Sequence, residues 1–261
     1  MKINFKGAGA AILLSAMALF YSACNKVDNK PASTQPTTPA SNTQIASSQV
    51  ATNIYQSLSG TYGGVNVYNG LNYPNDNSSK NHHGKNTTGC GFLIDSAITY
   101  SFNSGDTIKS NTTGSLYFYF LCDKHGNSAG FNVADSLLTT GFAPGNTFSY
   151  DVTQHFKVGL LGNDFNKFVV DGSIKSLVDL VYTKPSALTV SNDIHVTLND
   201  IVLDLAKHDI IGGSASFVAN GHYGPTSWSA VGTVTFIGDH KAKVTINGIS
   251  FTVDLITGKI L

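Results

Sequence analysis

Val244-Thr245-Ile246-Asn247-Gly248-Ile249-Ser250-Phe251-Thr252-Val253-Asp254-Leu255 is a pair of alternating apolar runs whose phase flips at an Asn-Gly pair. A two-residue type I′ turn produces such a flip, because it folds the strands back one-to-one on the same face. It sets Ile246 opposite Ile249 and Val244 opposite Phe251. Upstream, a turn at Gly238, Asp239 and His240 sets Phe236 opposite Ala242 and Val234 opposite Val244, so Trp228 to Leu255 reads as a three-stranded antiparallel meander. The same phase logic at Asn199-Asp200 predicts another tight turn, pairing Leu198 with Ile201 and Val196 with Leu203.

Earlier segments obey the same period of two. Phe148, Tyr150, Val152, Phe156 and Val158 alternate with Thr147, Ser149, Asp151, Thr153, His155 and Lys157. Phe168, Val170, Ile174, Val178 and Leu180 continue likewise; Val169, Leu177 and Val181 on the opposite face predict that part of this strand is covered on both sides. Composition agrees. All sixteen acidic residues are Asp and all sixteen basic ones are Lys, so the helix formers Glu and Arg are missing, while Gly, Asn, Thr, Ser, Val and Tyr abound. The expected fold is all-β, with antiparallel sheet or sheets of about nine or ten strands in a half-barrel, barrel or sandwich. One short N-terminal helix is expected near Ser48 to Ser59, where Val50, Ile54 and Leu58 recur every fourth residue before Gly60.

The start of the chain carries an address. Lys2 and Lys6 precede a small, apolar run from Ala8 to Ala23, shorter than a bilayer span requires, and the run ends in Ser22, Ala23 and Cys24. This resembles the lipobox of bacterial lipoproteins, with Tyr21 where that family usually carries an aliphatic residue. The resemblance implies that residues 1–23 are a signal peptide and that Cys24 becomes the acylated, palmitate-bearing N-terminus. An ordinary secretory signal cut near Ala23 is the alternative. Asn25 after the cysteine implies, by the same resemblance, sorting to the outer membrane. From 24 to 48 the chain is almost wholly Ser, Thr, Pro, Asn, Gln, Ala and Lys, which predicts a disordered tether spanning roughly 25 to 30 Å. Residues 49–261 then form one β domain.

Cys90 and Cys122 flank two strand-like runs, Phe92 to Phe102 and Ser115 to Leu121, joined by a polar loop from Asn103 to Thr113. A hairpin centred near Asp106 sets Cys90 opposite Cys122, Phe92 opposite Phe120 and Ile94 opposite Phe118, with both cysteines on the apolar side. Export to an oxidising compartment then predicts a Cys90–Cys122 disulfide; two buried free thiols are the other reading.

Chemistry is sparse. Without Arg there is no bidentate phosphate fork, and the net charge is zero, so nucleic acid is a poor partner. No Gly-x-Ser-x-Gly occurs, and His-Glu-x-x-His and EF-hand patterns need a Glu that is absent. Of the eight histidines, His82, His83, His125 and His240 read as loop or turn residues, and His155 and His195 as polar-face strand residues. No catalytic residue, metal ligand or cofactor is assigned. Tyr62, Tyr68 and Tyr73 read either as an aromatic platform for a sugar or as cover for a sheet edge. Asp95-Ser96-Ala97, Asp106-Thr107-Ile108 and Asp135-Ser136-Leu137 resemble a bacterial O-glycosylation pattern.

Leu58-Ser59-Gly60-Thr61-Tyr62 resembles the opening of lipocalin-like barrels, with Tyr62 in place of their Trp. The whole chain resembles the uncharacterised β-rich lipoproteins that Gram-negative bacteria export. That resemblance implies a membrane-anchored, non-catalytic binding or surface module. The expected ligand is a small apolar molecule or a glycan, with a surface adhesin or scaffold as the alternative and a hydrolase as a third.

Overall fold

The computed structural model describes residues 41–69, 90–105, 107–162, 164–183 and 187–261. Alternation of apolar and polar residues makes ten antiparallel strands: β1 Leu93–Ser104, β2 Ile108–Cys122, β3 Ser128–Ala143, β4 Asn146–Leu161, β5 Asp164–Tyr182, β6 Leu188–Asp204, β7 Asp209–Tyr223, β8 Thr226–Gly238, β9 Lys241–Ile246 and β10 Ile249–Asp254. They form one sheet in strict chain order, β1 to β10, and the sheet does not close into a barrel. Along most of each long strand the buried residues recur every second position, so one face is core and the other meets water.

The hairpins expected from phase are present at the C-terminal end. Ile246 pairs with Ile249 and Val244 with Phe251, while Phe236 pairs with Ala242 and Val234 with Val244. Asn247 and Gly248 both carry positive φ, as a type I′ turn requires. Ile249 itself is 55% exposed, because it stands at the corner of the sheet.

Asn199-Asp200 is a correction. β6 runs straight through it, and the ladder to β7 shifts between Asn199 and Val202. A bulge inserts an extra residue on one strand and so reverses the in–out phase as a two-residue turn does. Asp200 takes φ 49° there, and its N–H donates to Asp171 Oδ1 at 2.9 Å. Two other expectations also change. Leu177 and Val181 are exposed and, of the three, only Val169 is half-buried, so most of β5 is covered on one side. The polar loop between the first two strands shrinks to the turn after Ser104, with Ser104 already paired to Ile108.

The inner face of the sheet is filled by the chain's own helix, α1, Asn42–Leu58. It begins six residues before Ser48, so 42–48 belong to the folded domain and not to the tether. The physical reason is a capping box: Gln44 N–H donates to Ser41 Oγ, and Ser41 N–H donates to Gln44 Oε1. The polar residues that read as disorder are those that start a helix. Ala46, Val50, Ala51, Ile54 and Leu58 are buried against β6 to β10. Each of the larger side chains stabilises this seat by roughly 1.5–3 kcal/mol relative to exposure. At Gly60 φ is 71°, which ends the helix and turns the chain into a strap, residues 61–69, that shares the inner side.

A polar seam runs beneath helix and strap. Asn192 Nδ2 donates to Gln49 Oε1 at 3.0 Å. Asn53 Nδ2 donates to Ser176 Oγ at 2.8 Å and to Tyr62 Oη at 3.0 Å, and Tyr62 Oη donates to Gln56 Oε1 at 2.7 Å. On one side lies the main apolar cluster; on the other lies a smaller one of Tyr62, Phe148, Tyr150, Val152, Val178, Leu180 and Val190. These polar bonds fix the helix in one position along the sheet, although Asn53 Oδ1 itself accepts none.

Candidate functional site

The expected signal peptide, Cys24 and the expected tether up to residue 40 lie outside the described residues, as do Tyr73, His82, His83 and Asp106. No helix among the described residues is long and apolar enough to cross a membrane. Cys90 and Cys122 are joined, with their Cα atoms 5.1 Å apart. The pairing has the expected register: Phe120 N–H donates to Phe92 O at 3.0 Å and Ile94 pairs with Phe118. The bridge does not point into the core, however. It sits at the open corner of β1 and β2, where Cys122 is exposed and Cys90 half-buried.

The aromatic platform is not formed by Tyr62 and Tyr68. Both are buried, Tyr62 against Tyr150 with ring centroids 5.8 Å apart and Tyr68 near Tyr55 and His208. They cover the inner face. Burial pushes the phenols of Tyr62, Tyr68 and Tyr150 well above the ordinary tyrosine value. Of the O-glycosylation-like segments, Thr107 is exposed in the β1–β2 turn, Ser96 is half-buried in β1, and Asp135 is buried in β3.

The histidines divide. His125 lies in an exposed turn organised by Asp123, whose Oδ1 accepts the N–H groups of His125 and Asn127 at 2.8 Å each. The bonds from Asn127 hold that carboxylate below its usual range. His195 Nε2 is 3.1 Å from Asp193 on the open face. His240 is more enclosed than a turn residue implies. Its N–H donates to Asp209 Oδ1 at 3.0 Å, its ring Nδ1 is 3.5 Å from the same oxygen, and its ring meets Tyr55 edge-on. Asp209 thus clamps the β8–β9 turn to the start of β7. Among the described residues, neither Asp–His contact has a Ser or Thr hydroxyl bonded to its imidazole, and no three His, Cys or Asp side chains gather as metal ligands.

His155, expected on a polar strand face, belongs to a depression that the outer face of the sheet builds. The volume is about 380 Å³, lined by Tyr117, Asn132, Ala134, His155, Lys157, Asp171 and Gly172 among others. Strand register assembles it: Tyr117 stands beside Ala134, Ala134 beside His155, and Asn132 beside Lys157, Lys157 beside Asp171. Ala134 is too small to cover the Tyr117 ring, which is 41% exposed. Gly172 is required by the backbone. A Cβ there would stand 1.9 Å from His155 O, and its φ is 151°. One aromatic face, a cation, a carboxylate, an amide and an imidazole therefore surround a shallow, open floor whose accessible lining is chiefly apolar.

A second grouping was missed in the sequence. Asp135 and Gln154 are cross-strand partners on the inner face, 2% and 1% exposed, and neither side chain makes a hydrogen bond of normal geometry. Burial pushes the Asp135 carboxyl up to about 7, opposed only in part by the nearby Val65 N–H. The signal was present in Val133-x-Asp135-x-Leu137, which puts Asp135 on the apolar side of the alternation.

No family model, no curated protein and no solved structure matches this chain.

Proposed function

We propose that the chain is an exported surface module, anchored to the membrane through acylated Cys24, that meets its partner on the outer face of the sheet. The supporting observation is that α1 and the strap fill the inner face with side chains of the chain's own, Val50, Ile54, Leu58 and Val67 all being fully buried there. An internal apolar ligand would have to displace them. That ranks the scaffold or adhesin reading above the lipid carrier that the sequence first suggests. The outer face offers Ser, Thr, Asn and Lys rows and the depression around Tyr117, a surface that suits an envelope glycan: the ring packs on a sugar's C–H face while Asn132, His155, Lys157 and Asp171 bond its hydroxyls.

Two measurements test the reading. Intact mass of the protein from its native membrane should equal the chain beginning at Cys24 plus acyl groups, and a Cys24→Ala variant should lose that mass and leave the membrane. Co-sedimentation with purified envelope polysaccharide should be weakened by Tyr117→Ala and by Asp171→Ala, but not by Thr235→Ala at a distant strand. Equal binding by all four proteins would move the contact elsewhere.

A further inference from the structure

The two edges of the open sheet are treated differently. β10 is covered by the chain's own end: Leu261 N–H donates to Thr252 O, Asp254 N–H donates to Lys259 O, and Ile260 bridges to Val253. β1 has β2 on one side and no strand on the other among the described residues. Its ladder to β2 runs unbroken from Leu93 to Ser104, without a bulge, proline or lysine. Those are the devices by which solitary edges normally resist pairing.

Phe92 O accepts from Phe120 N–H, so even-numbered residues of β1 bond inward to β2. The N–H and C=O groups of Leu93, Asp95, Ala97, Thr99, Ser101 and Asn103 therefore point to the edge. On the inner face, Ile94, Ile98 and Phe102 are only half-buried, unlike the apolar rows of β2 to β8. The strand is an unfinished part of the core.

We propose that β1 pairs with β1 of a second copy of this chain, antiparallel about a two-fold axis at Ile98. In that register Leu93 meets Asn103 of the other copy, Asp95 meets Ser101 and Ala97 meets Thr99, each reciprocally, so the one charged residue of β1 never faces its like. The same register sets Ile98 against Ile98 and Ile94 against Phe102 on the inner side, where non-hydrogen-bonded pairs bring side chains closest. A strand whose sequence complements itself in hydrogen bonding, charge and apolar content fits its own copy better than an arbitrary partner. The isologous contact closes at two chains.

The test is cysteine cross-linking in native membranes. Ile98→Cys, with copper–phenanthroline and air as oxidant, should shift the chain on a non-reducing gel from one chain mass to two. Ser96→Cys, which faces Tyr100 in this register, should stay at one. Adding Thr99→Pro to Ile98→Cys should abolish the shift, since Pro removes an outward N–H but no bond to β2; retained resistance to protease shows that the domain is folded. Absence of a cross-linked product from Ile98→Cys, an equal yield from Ser96→Cys, or a product that survives Thr99→Pro would overturn the proposal. Hydrogen exchange of the unsubstituted protein gives an independent reading. The Asp95, Ala97 and Thr99 amides should be protected in a concentration-dependent way; concentration-independent protection, as residues 70–89 of the same chain would give, also overturns it.

Discussion

Asp135 on β3 stands directly opposite Gln154 on β4, and Gly64 of the strap lies on both: a Cβ at Gly64 would be 2.5 Å from Asp135 Oδ2 and 2.8 Å from Gln154 Oε1. A carboxyl so enclosed keeps its proton through the mildly acidic range, with a folded value of about 7 against roughly 3.9 for a free Asp.

The sign of the pH effect follows. Between those two values the folded protein keeps a proton that the unfolded chain has released, so the contribution is largest below about pH 4 and is lost as pH rises through about 7. The span corresponds to about 4 kcal/mol. Urea melts from pH 4 to 8 should show the unsubstituted chain losing that amount relative to Asp135→Asn, whose side chain does not titrate. Parallel profiles for the two proteins would place the Asp135 value near that of an ordinary Asp.

Gly64→Ala should lift the strap from Asp135 and Gln154. Both contacts are to buried side-chain ends, which have little room to move. The expected loss is about 1–3 kcal/mol, as for other overpacking changes. Gly159→Ala, where an added Cβ meets nothing within 4 Å and φ is ordinary, is the matched control and should be neutral or slightly stabilising. Thermal melts of the pair decide it.

Removing the disulfide with Cys90→Ser and Cys122→Ser should lower stability by about 3 to 4 kcal/mol, the chain-entropy value for a loop of this length. Reductant should lower the unsubstituted protein by the same amount and leave the double variant unchanged. A double variant as stable as its parent would mean that the β1–β2 turn alone holds the hairpin.

Ile54→Ala, at a fully buried position of α1, should cost about 2–5 kcal/mol through the lost contacts and the cavity left behind. Its unfolding, followed at Trp228 on the neighbouring strand by fluorescence and over the whole sheet by circular dichroism, should remain a single transition. Separation of the two signals would show that the sheet persists without the helix.

Much of the sheet was legible because alternation carries phase: Phe236, Val234 and Val244 could pair in one way only, and Cys90 was placed opposite Cys122 by the same counting. The counting failed where two backbone devices share one signature. Asn199-Asp200 reverses the phase as a bulge, and no residue in it says whether the chain turns back or runs on. The start of α1 was hidden because Ser41, Thr43 and Gln44 serve equally in a tether and in a cap, and only packing of Ala46 and Val50 on the sheet decides between them. The outer depression was illegible for another reason. Tyr117, His155 and Asp171 are brought together by lateral register across four strands, which alternation within a strand cannot express.

Every strand neighbours the strands before and after it in the chain, yet α1 rests chiefly on β8, β9 and β10, so the helix made first must wait for the strands made last. A chain emerging from its N-terminus can zip hairpin onto hairpin, but it carries an uncovered apolar face until the C-terminal meander arrives. Completion is therefore a single late event that joins the two ends. Truncation near the C-terminus would leave most of the sheet able to pair and the whole of it prone to aggregate.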